Sequence, residues 1–195
     1  MRKSILQSSL PCAVACALAL MGLVVPASAQ QKLLPVKMAV AGINFIPYLP
    51  IALAKQLCEF EKAGVDVDMI SFKGGAPVAT ALIGGSIDVA SGYYEHTIQF
   101  ATKGKSVRSF VIATRLPGLA LVVAPKHKDE VKTIKDLAGK RVGVSAPGSA
   151  TDFMLKYVLR KNGVDPASVP VIGVGEPAAT VAAIEQGQVD AALNG

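Results

Sequence analysis

The chain has 195 residues, 51% of them hydrophobic and 5% aromatic, with no Trp and a formal net charge of +6. So much apolar surface excludes a disordered chain. The Lys and Arg residues are scattered and not interleaved with aromatics, which excludes the basic stripe that nucleic acid needs.

The first 29 residues read as a secretory signal. Arg2 and Lys3 give a positive start, Leu10 to Val25 is uncharged over 16 residues, and Ala27-Ser28-Ala29 is a small-x-small cleavage site. A spanning helix needs roughly 20 apolar residues, and Pro11 interrupts this run. Cleavage after Ala29 leaves a mature chain of 166 residues, with 18 basic against 14 acidic side chains. Cys12 and Cys16 leave with the signal. Cys58 is then alone, so no internal disulfide and no zinc ligand set can form.

The mature chain alternates short β-rich runs with helical patterns. Strands are expected at 36–41, 65–71, 87–90, 107–114 and 119–124, and helices at 50–63, 76–83 and 95–102. A charged bridge follows at 125–132, and His127 within it is expected to be solvated. The pattern then restarts, with strands at 141–145, 169–174 and 189–193 and helices at 150–161 and 178–186. Such alternation predicts an α/β fold with parallel sheets covered by helices.

Three short sequences recur in register. Lys62-Ala63-Gly64-Val65-Asp66 returns as Lys161-Asn162-Gly163-Val164-Asp165, Pro77-Val78-Ala79-Thr80 as Pro177-Ala178-Ala179-Thr180, and Gly85-Ser86-Ile87-Asp88 as Gly187-Gln188-Val189-Asp190. The offsets are 99, 100 and 102 residues, so order and spacing are kept. Gly caps and helix-starting Pro recur by chance, but not three times in register. The expected organisation is a signal at 1–29, one α/β lobe at 30–126 and a second at 127–195, with a ligand cleft between them.

Enzyme motifs are missing. Gly104-Lys105-Ser106 lacks the P-loop glycine five positions earlier, no nucleophile elbow occurs, and neither His96 nor His127 has a second His or Cys at metal-ligand spacing. What remains are Gly, Ser and Thr residues where strands hand over to helices. Ser145-Ala146-Pro147-Gly148-Ser149-Ala150-Thr151 precedes a helix whose free amides suit an anion. The same hydroxyls would also serve as ordinary N-caps. The corresponding turns of the first lobe start at Gly42, Lys73 and Ser91, at the carboxyl ends of strands where open α/β sheets bind ligands. Phe45, Tyr93 and Tyr94 are placed to flank an apolar part of a ligand or to fill the core.

Ile134-Lys135-Asp136-Leu137-Ala138-Gly139-Lys140-Arg141-Val142-Gly143-Val144, the APGSAT turn after it, the G-x-[IV]-D units and the SGYYEHT stretch at 91–97 carry a resemblance. With them and its signal, the chain resembles the solute-binding proteins of ABC importers in the nitrate, taurine and aliphatic-sulfonate group. That group shares its fold with the thiamine-pyrimidine precursor branch. The resemblance implies a type II periplasmic-binding-protein fold, with two α/β lobes hinged around a cleft that closes on a small, often anionic solute. It implies a periplasmic, monomeric protein without a cofactor, which presents its solute to a permease and its ATPase subunits. By position, ligand contacts would fall at Asn44, Gly75, Ala76, Gly92 and Tyr93 in the first lobe. In the second they would fall at Gly148, Ser149, Thr151, Gly175 and Asn194.

Members of that group run to about twice this mature length, so the expectation is a working protein with further chain beyond lobe two. Two rival functions share the fold: an enzyme of the thiamine-pyrimidine synthase branch and a ligand-sensing module of a receptor. The signal and the single mature Cys58 weigh against the first, whose members are intracellular and carry a Cys-rich stretch.

Overall fold

Two small sheets organise the chain in the computed structural model, which describes residues 32–195. The signal at 1–29, with Cys12, Cys16 and the cleavage after Ala29, lies outside the described residues. The first sheet has the order β2-β1-β3, with β1 (Leu34–Val40) central and parallel to β2 (Val65–Ser71) and β3 (Val89–Ser91). Parallel neighbours need crossovers. These are supplied by α1 (Leu49–Gln56) with α2 (Glu59–Lys62), and by α3 (Gly75–Ile83); α4 (Glu95–Thr102) follows β3.

The second sheet contains β4 (Ala120–Val123), β5 (Val142–Val144), β6 (Val171–Gly173) and β7 (Ala191–Asn194) in the order β4-β7-β5-β6. Its helices are α5 (Ala150–Lys161) and α6 (Pro177–Glu185). β5 is parallel to both neighbours, whereas β4 runs antiparallel to β7. The fold is therefore α/β with mostly parallel sheets. Because β4 pairs with β7, the passage between sheets falls between β3 and β4, upstream of the boundary at 126/127 expected from the sequence.

Three expectations are corrected. The helix expected over 50–63 is two helices, because Cys58 adopts a left-handed backbone (φ 56°) between them. A glycine normally marks such a break, so its sequence signal is missing. The strand expected over 107–114 does not form: those residues join neither sheet, and every residue from 108 to 118 is exposed. Strand propensity needs a neighbouring edge before it becomes a strand, and none lies alongside among the described residues. His127 is not solvated. Its Nδ1 lies 3.1 Å from Glu130 Oε2 and its Nε2 3.1 Å from Asp190 Oδ1.

The recurrence in sequence is a recurrence of bonds. Asp88 donates its N–H to the Lys37 carbonyl, and its carboxylate accepts from the Lys37 N–H at 2.8 Å. Asp190 repeats both bonds with Arg141, at 2.8 and 2.9 Å. In each half this Asp thus ties the start of the third strand to the first. Thr80 and Thr180 likewise both donate to the carbonyl four residues back. The two cores are unequal. The second centres on Leu137, Val142, Val144, Leu155 and Leu159, all at 1% exposure or less. Each such burial contributes about 1.5–3 kcal/mol. The first core is held by Ala39, Val40, Phe45, Tyr48 and Val78, while no residue of α1, α2 or α4 is fully buried.

Candidate functional site

The first turn of α3 meets the first turn of α5. A Cβ added to Gly75 would lie 3.9 Å from Ser149 Cβ, and one added to Gly148 would lie 3.8 Å from Ala76 Cβ. Gly74 (φ 108°) permits this approach, since a Cβ there would lie 3.1 Å from Ala146 Cβ and 3.3 Å from the Ser145 backbone. No side chain caps α3 at Gly74, so its first amides remain available. Two helix N-termini, each a partial positive charge, thus point into one cleft.

That cleft is lined by Ala41, Phe45, Tyr48, Gly75, Gly92, Tyr93, His96, Leu119, Ser145, Ser149, Ala150 and Thr151. Its free space is about 20 Å³, room for one water. Phe45 and Tyr48 meet edge to face, with centroids 6.3 Å apart, and form its apolar side. The opposite side is a triangle of buried hydroxyls. Ser145 Oγ lies 3.0 Å from Ser149 Oγ and 2.9 Å from Thr151 Oγ1, and the last two are 2.8 Å apart. Thr151 Oγ1 also accepts from the Ser145 N–H at 2.9 Å. Ser149 caps α5 by accepting from the Asp152 N–H, though at a long 3.5 Å. The hydroxyls therefore serve one another and the helix, and the residues that carry them line the cleft.

No Lys or Arg lines this cleft. Besides the phenols of Tyr48 and Tyr93, its titratable groups are His96 and, next to it, Glu95, whose Oε1 lies 3.4 Å from His96 Nε2. Burial pushes the Glu95 carboxyl up to about 7 and lowers the His96 imidazole below its ordinary value. Both shifts favour neutral forms, so the first-lobe wall repels an anion little. Glu95 Oε1 is buried with no hydrogen-bond partner among the described residues. Burial also raises the Tyr48 and Tyr93 hydroxyls, and Tyr93 donates to the Pro117 carbonyl at 2.7 Å.

Of the residues expected from the sequence, Gly75, Gly92, Tyr93, Ser149 and Thr151 line the cleft. Ala76 and Gly148 line an adjoining open cavity of about 390 Å³ that shares His96. Three lie apart from both. Asn44 is exposed and donates to Glu176 Oε2 at 3.3 Å. The Gly175 N–H donates to the Ser145 carbonyl at 3.0 Å. Asn194 donates to Thr180 Oγ1. Tyr94, considered beside Tyr93, is 68% exposed and lines neither space. Sequence reasoning missed Tyr48 and Leu119. Tyr48 closes a short turn after Ile46-Pro47, and Leu119 precedes β4, so neither carries a motif.

Residues 46–195 match the NMT1/THI5-like family. This chain belongs to that family. It is 26% identical to the taurine-binding periplasmic protein of Escherichia coli K12, over 68% of the chain and 40% of that protein. It is 30% identical to the 4-amino-5-hydroxymethyl-2-methylpyrimidine phosphate synthase of Schizosaccharomyces pombe, over 75% of the chain and 41% of that protein. Among solved structures, a protein of Bordetella bronchiseptica RB50 shares 38% identity with a TM-score of 0.80, covering 84% of this chain and 51% of its own. The alkanesulfonate-binding protein of Xanthomonas axonopodis pv. citri, solved with MOPS bound, shares the fold at 23% identity and a TM-score of 0.57, covering 85% and 55%. This chain spans about two fifths of the length of the two curated relatives.

Proposed function

We propose that this chain captures a small anionic solute of the sulfonate, taurine or nitrate class outside the cytoplasm and delivers it to an ABC permease and its ATPase subunits. The observation that carries this reading is the convergence of the α3 and α5 N-termini on three buried hydroxyls. Amide dipoles and hydroxyls bind an oxyanion without a cation and without chemistry. The taurine-binding relative supports the solute class, and its periplasmic home supports export; the proposed cleavage after Ala29 rests on the Ala27-Ser28-Ala29 pattern. Free space of about 20 Å³ holds a water but not a sulfonate, so uptake requires the two sheets to part and reclose about a hinge. Asn44, Gly175 and Asn194 would then contribute from the rim, and the protein would act as a monomer.

Calorimetric titration of taurine, ethanesulfonate and nitrate into the chain and its Ser149→Ala and Thr151→Val variants tests the proposal. Losing a hydroxyl bonded to a charged group costs about 1.5–3 kcal/mol, so affinity should fall roughly tenfold to hundredfold. Unchanged affinity in both variants would count against it. The pyrimidine-synthase relative, with His96 and Glu95 beside the cleft, favours a second reading as an enzyme. In that case a bound ligand would be recovered chemically altered, and His96→Ala would abolish the change. Solute capture returns the ligand intact, as mass spectrometry would show.

A further inference from the structure

Two helices face each other across open space. Ala76, Ala79, Thr80 and Ile83 stand at the i, i+3, i+4 and i+7 positions of one face of α3. His96, Gln99, Phe100 and Lys103 repeat that spacing along α4 and its C-cap. Helix faces spaced in this way usually pack on one another. Here the short Ala76 and Ala79 side chains do not fill the gap, and an open cavity of about 390 Å³ remains. That volume falls in the range of small-molecule sites, about 300–1,000 Å³. Gly148, from the second half of the chain, lines the cavity beside Ala76.

The cavity's chemistry selects its occupant. Phe100 gives it an aromatic face, with the His96 ring stacked alongside at 26° and 6.3 Å between centroids. Planar rings pack offset against such faces, and Ala76 and Ala79 supply an apolar wall from α3. The second feature is positive charge. Gly104 (φ 67°) ends α4 and turns the chain, so that the Lys105 N–H reaches the Phe100 carbonyl at 2.9 Å. Lys103 and Lys105 therefore both line the cavity. Neither forms an ion pair among the described residues, and no Asp or Glu lines the space. A helix C-terminus carries roughly half a negative charge, which leaves most of the charge of two lysines unanswered. We propose that this cavity is a second ligand site, separate from the cleft, for a monoanion built on an aromatic ring. The ring lies between Phe100 and Ala79, and its carboxylate or sulfonate sits at Lys103 and Lys105. The cleft, by contrast, is lined by no cation, so the two sites differ in chemistry.

The test titrates benzoate, acetate and benzylamine separately into the isotopically labelled chain, with amide chemical shifts as the readout. Benzoate should give saturable changes at Ala79, Ile83, Gln99 and Lys103. It should bind at least about tenfold more tightly than acetate, which lacks the ring, or benzylamine, which reverses the charge. Lys103→Glu with Lys105→Glu should weaken benzoate at least about tenfold without altering circular dichroism, since both side chains are exposed. Ala79→Leu, which fills the cavity from α3, should remove the benzoate changes while both lysines stay in place. No saturable change at Ala79 and Gln99 would overturn the proposal. So would equal binding of acetate or benzylamine, benzoate changes confined to Gly75 and Ser149 to Thr151 in the cleft, or indifference to the lysine variant. The readout lies on α4 and the later turns of α3, so failure here is separate from any failure of the solute-capture reading.

Discussion

Asp190 and Asp88 occupy matching places in the repeat but very different surroundings. Asp190 is buried and receives the Arg141 N–H at 2.9 Å, Arg141 Nε at 3.2 Å and Arg141 Nη2 at 2.8 Å. The Arg141 hydrogen bonds hold its carboxyl well below the usual carboxylate range. Stability from this group is thus full above about pH 4, the ordinary Asp value, and is lost as pH falls towards its folded value. Asp88 is exposed and makes only the Lys37 bond with its carboxylate. Asp190→Ala should lower unfolding free energy by about 2–4 kcal/mol and flatten the acid limb, whereas Asp88→Ala should cost about 0.5–1 kcal/mol. Urea denaturation between pH 3 and 7 reads both. Glu95 has the opposite sign. Its raised value means that the fold favours the protonated form, so stability falls as pH rises from about 4.5 towards 7. His96, lowered by burial, works against this below its ordinary value. Glu95→Gln should therefore be more stable than the parent by about 1–2 kcal/mol at pH 8, with the gap closing near pH 5. A constant gap would show that Glu95 does not carry this dependence. The sequence marked both Asp residues through the repeat, but which of them would be buried depended on His127 and Arg141 folding over one and not the other.

At the scale of elements, the N-terminus of α5 tests how far a cap and a binding surface can share atoms. Thr151→Val leaves the buried Ser145 N–H without its acceptor, at a cost of about 1–3 kcal/mol. Ser149→Ala removes a 3.5 Å cap bond and two edges of the triangle but leaves no backbone amide without its short bond, so it should cost about 0.5–1 kcal/mol. Thermal unfolding should rank Thr151→Val as the more destabilised; the reverse would show that the Ser149 cap outweighs the acceptor that Thr151 gives the Ser145 N–H. The break at Cys58 gives a second prediction. A left-handed non-glycine residue costs about 1–2 kcal/mol, partly offset by the chain entropy of glycine. Cys58→Gly should therefore raise stability by up to about 1 kcal/mol, and Cys58→Val should lower it. The limits of β2, α4 and α5 were legible from periodicity and from Gly64, Gly104 and Ser149. The break at Cys58 was not, because nothing in Gln56-Leu57-Cys58 signals a reversal of φ.

For the whole molecule, strand–helix alternation and the triple recurrence made two α/β halves and a cleft readable in the sequence. The antiparallel partnership of β4 with β7 was hidden, since it joins residues some seventy positions apart by backbone bonds that leave no side-chain pattern. The turn at 145–151 was legible as a place for an anion or a cap; the structure shows its hydroxyls bonded to one another and to the start of α5, on residues that line the cleft. Tyr48 and Leu119 enter the cleft only through the meeting of the two halves. The central claim is that this cleft holds a small anion between the two helix N-termini. Titration of ethanesulfonate into the isotopically labelled chain, followed by amide chemical shifts, tests it most directly. The largest changes should fall on Gly75 and Ala76 at the start of α3 and on Ser149 to Thr151 at the start of α5. Saturable changes confined to other surfaces, with those amides unmoved, would contradict it.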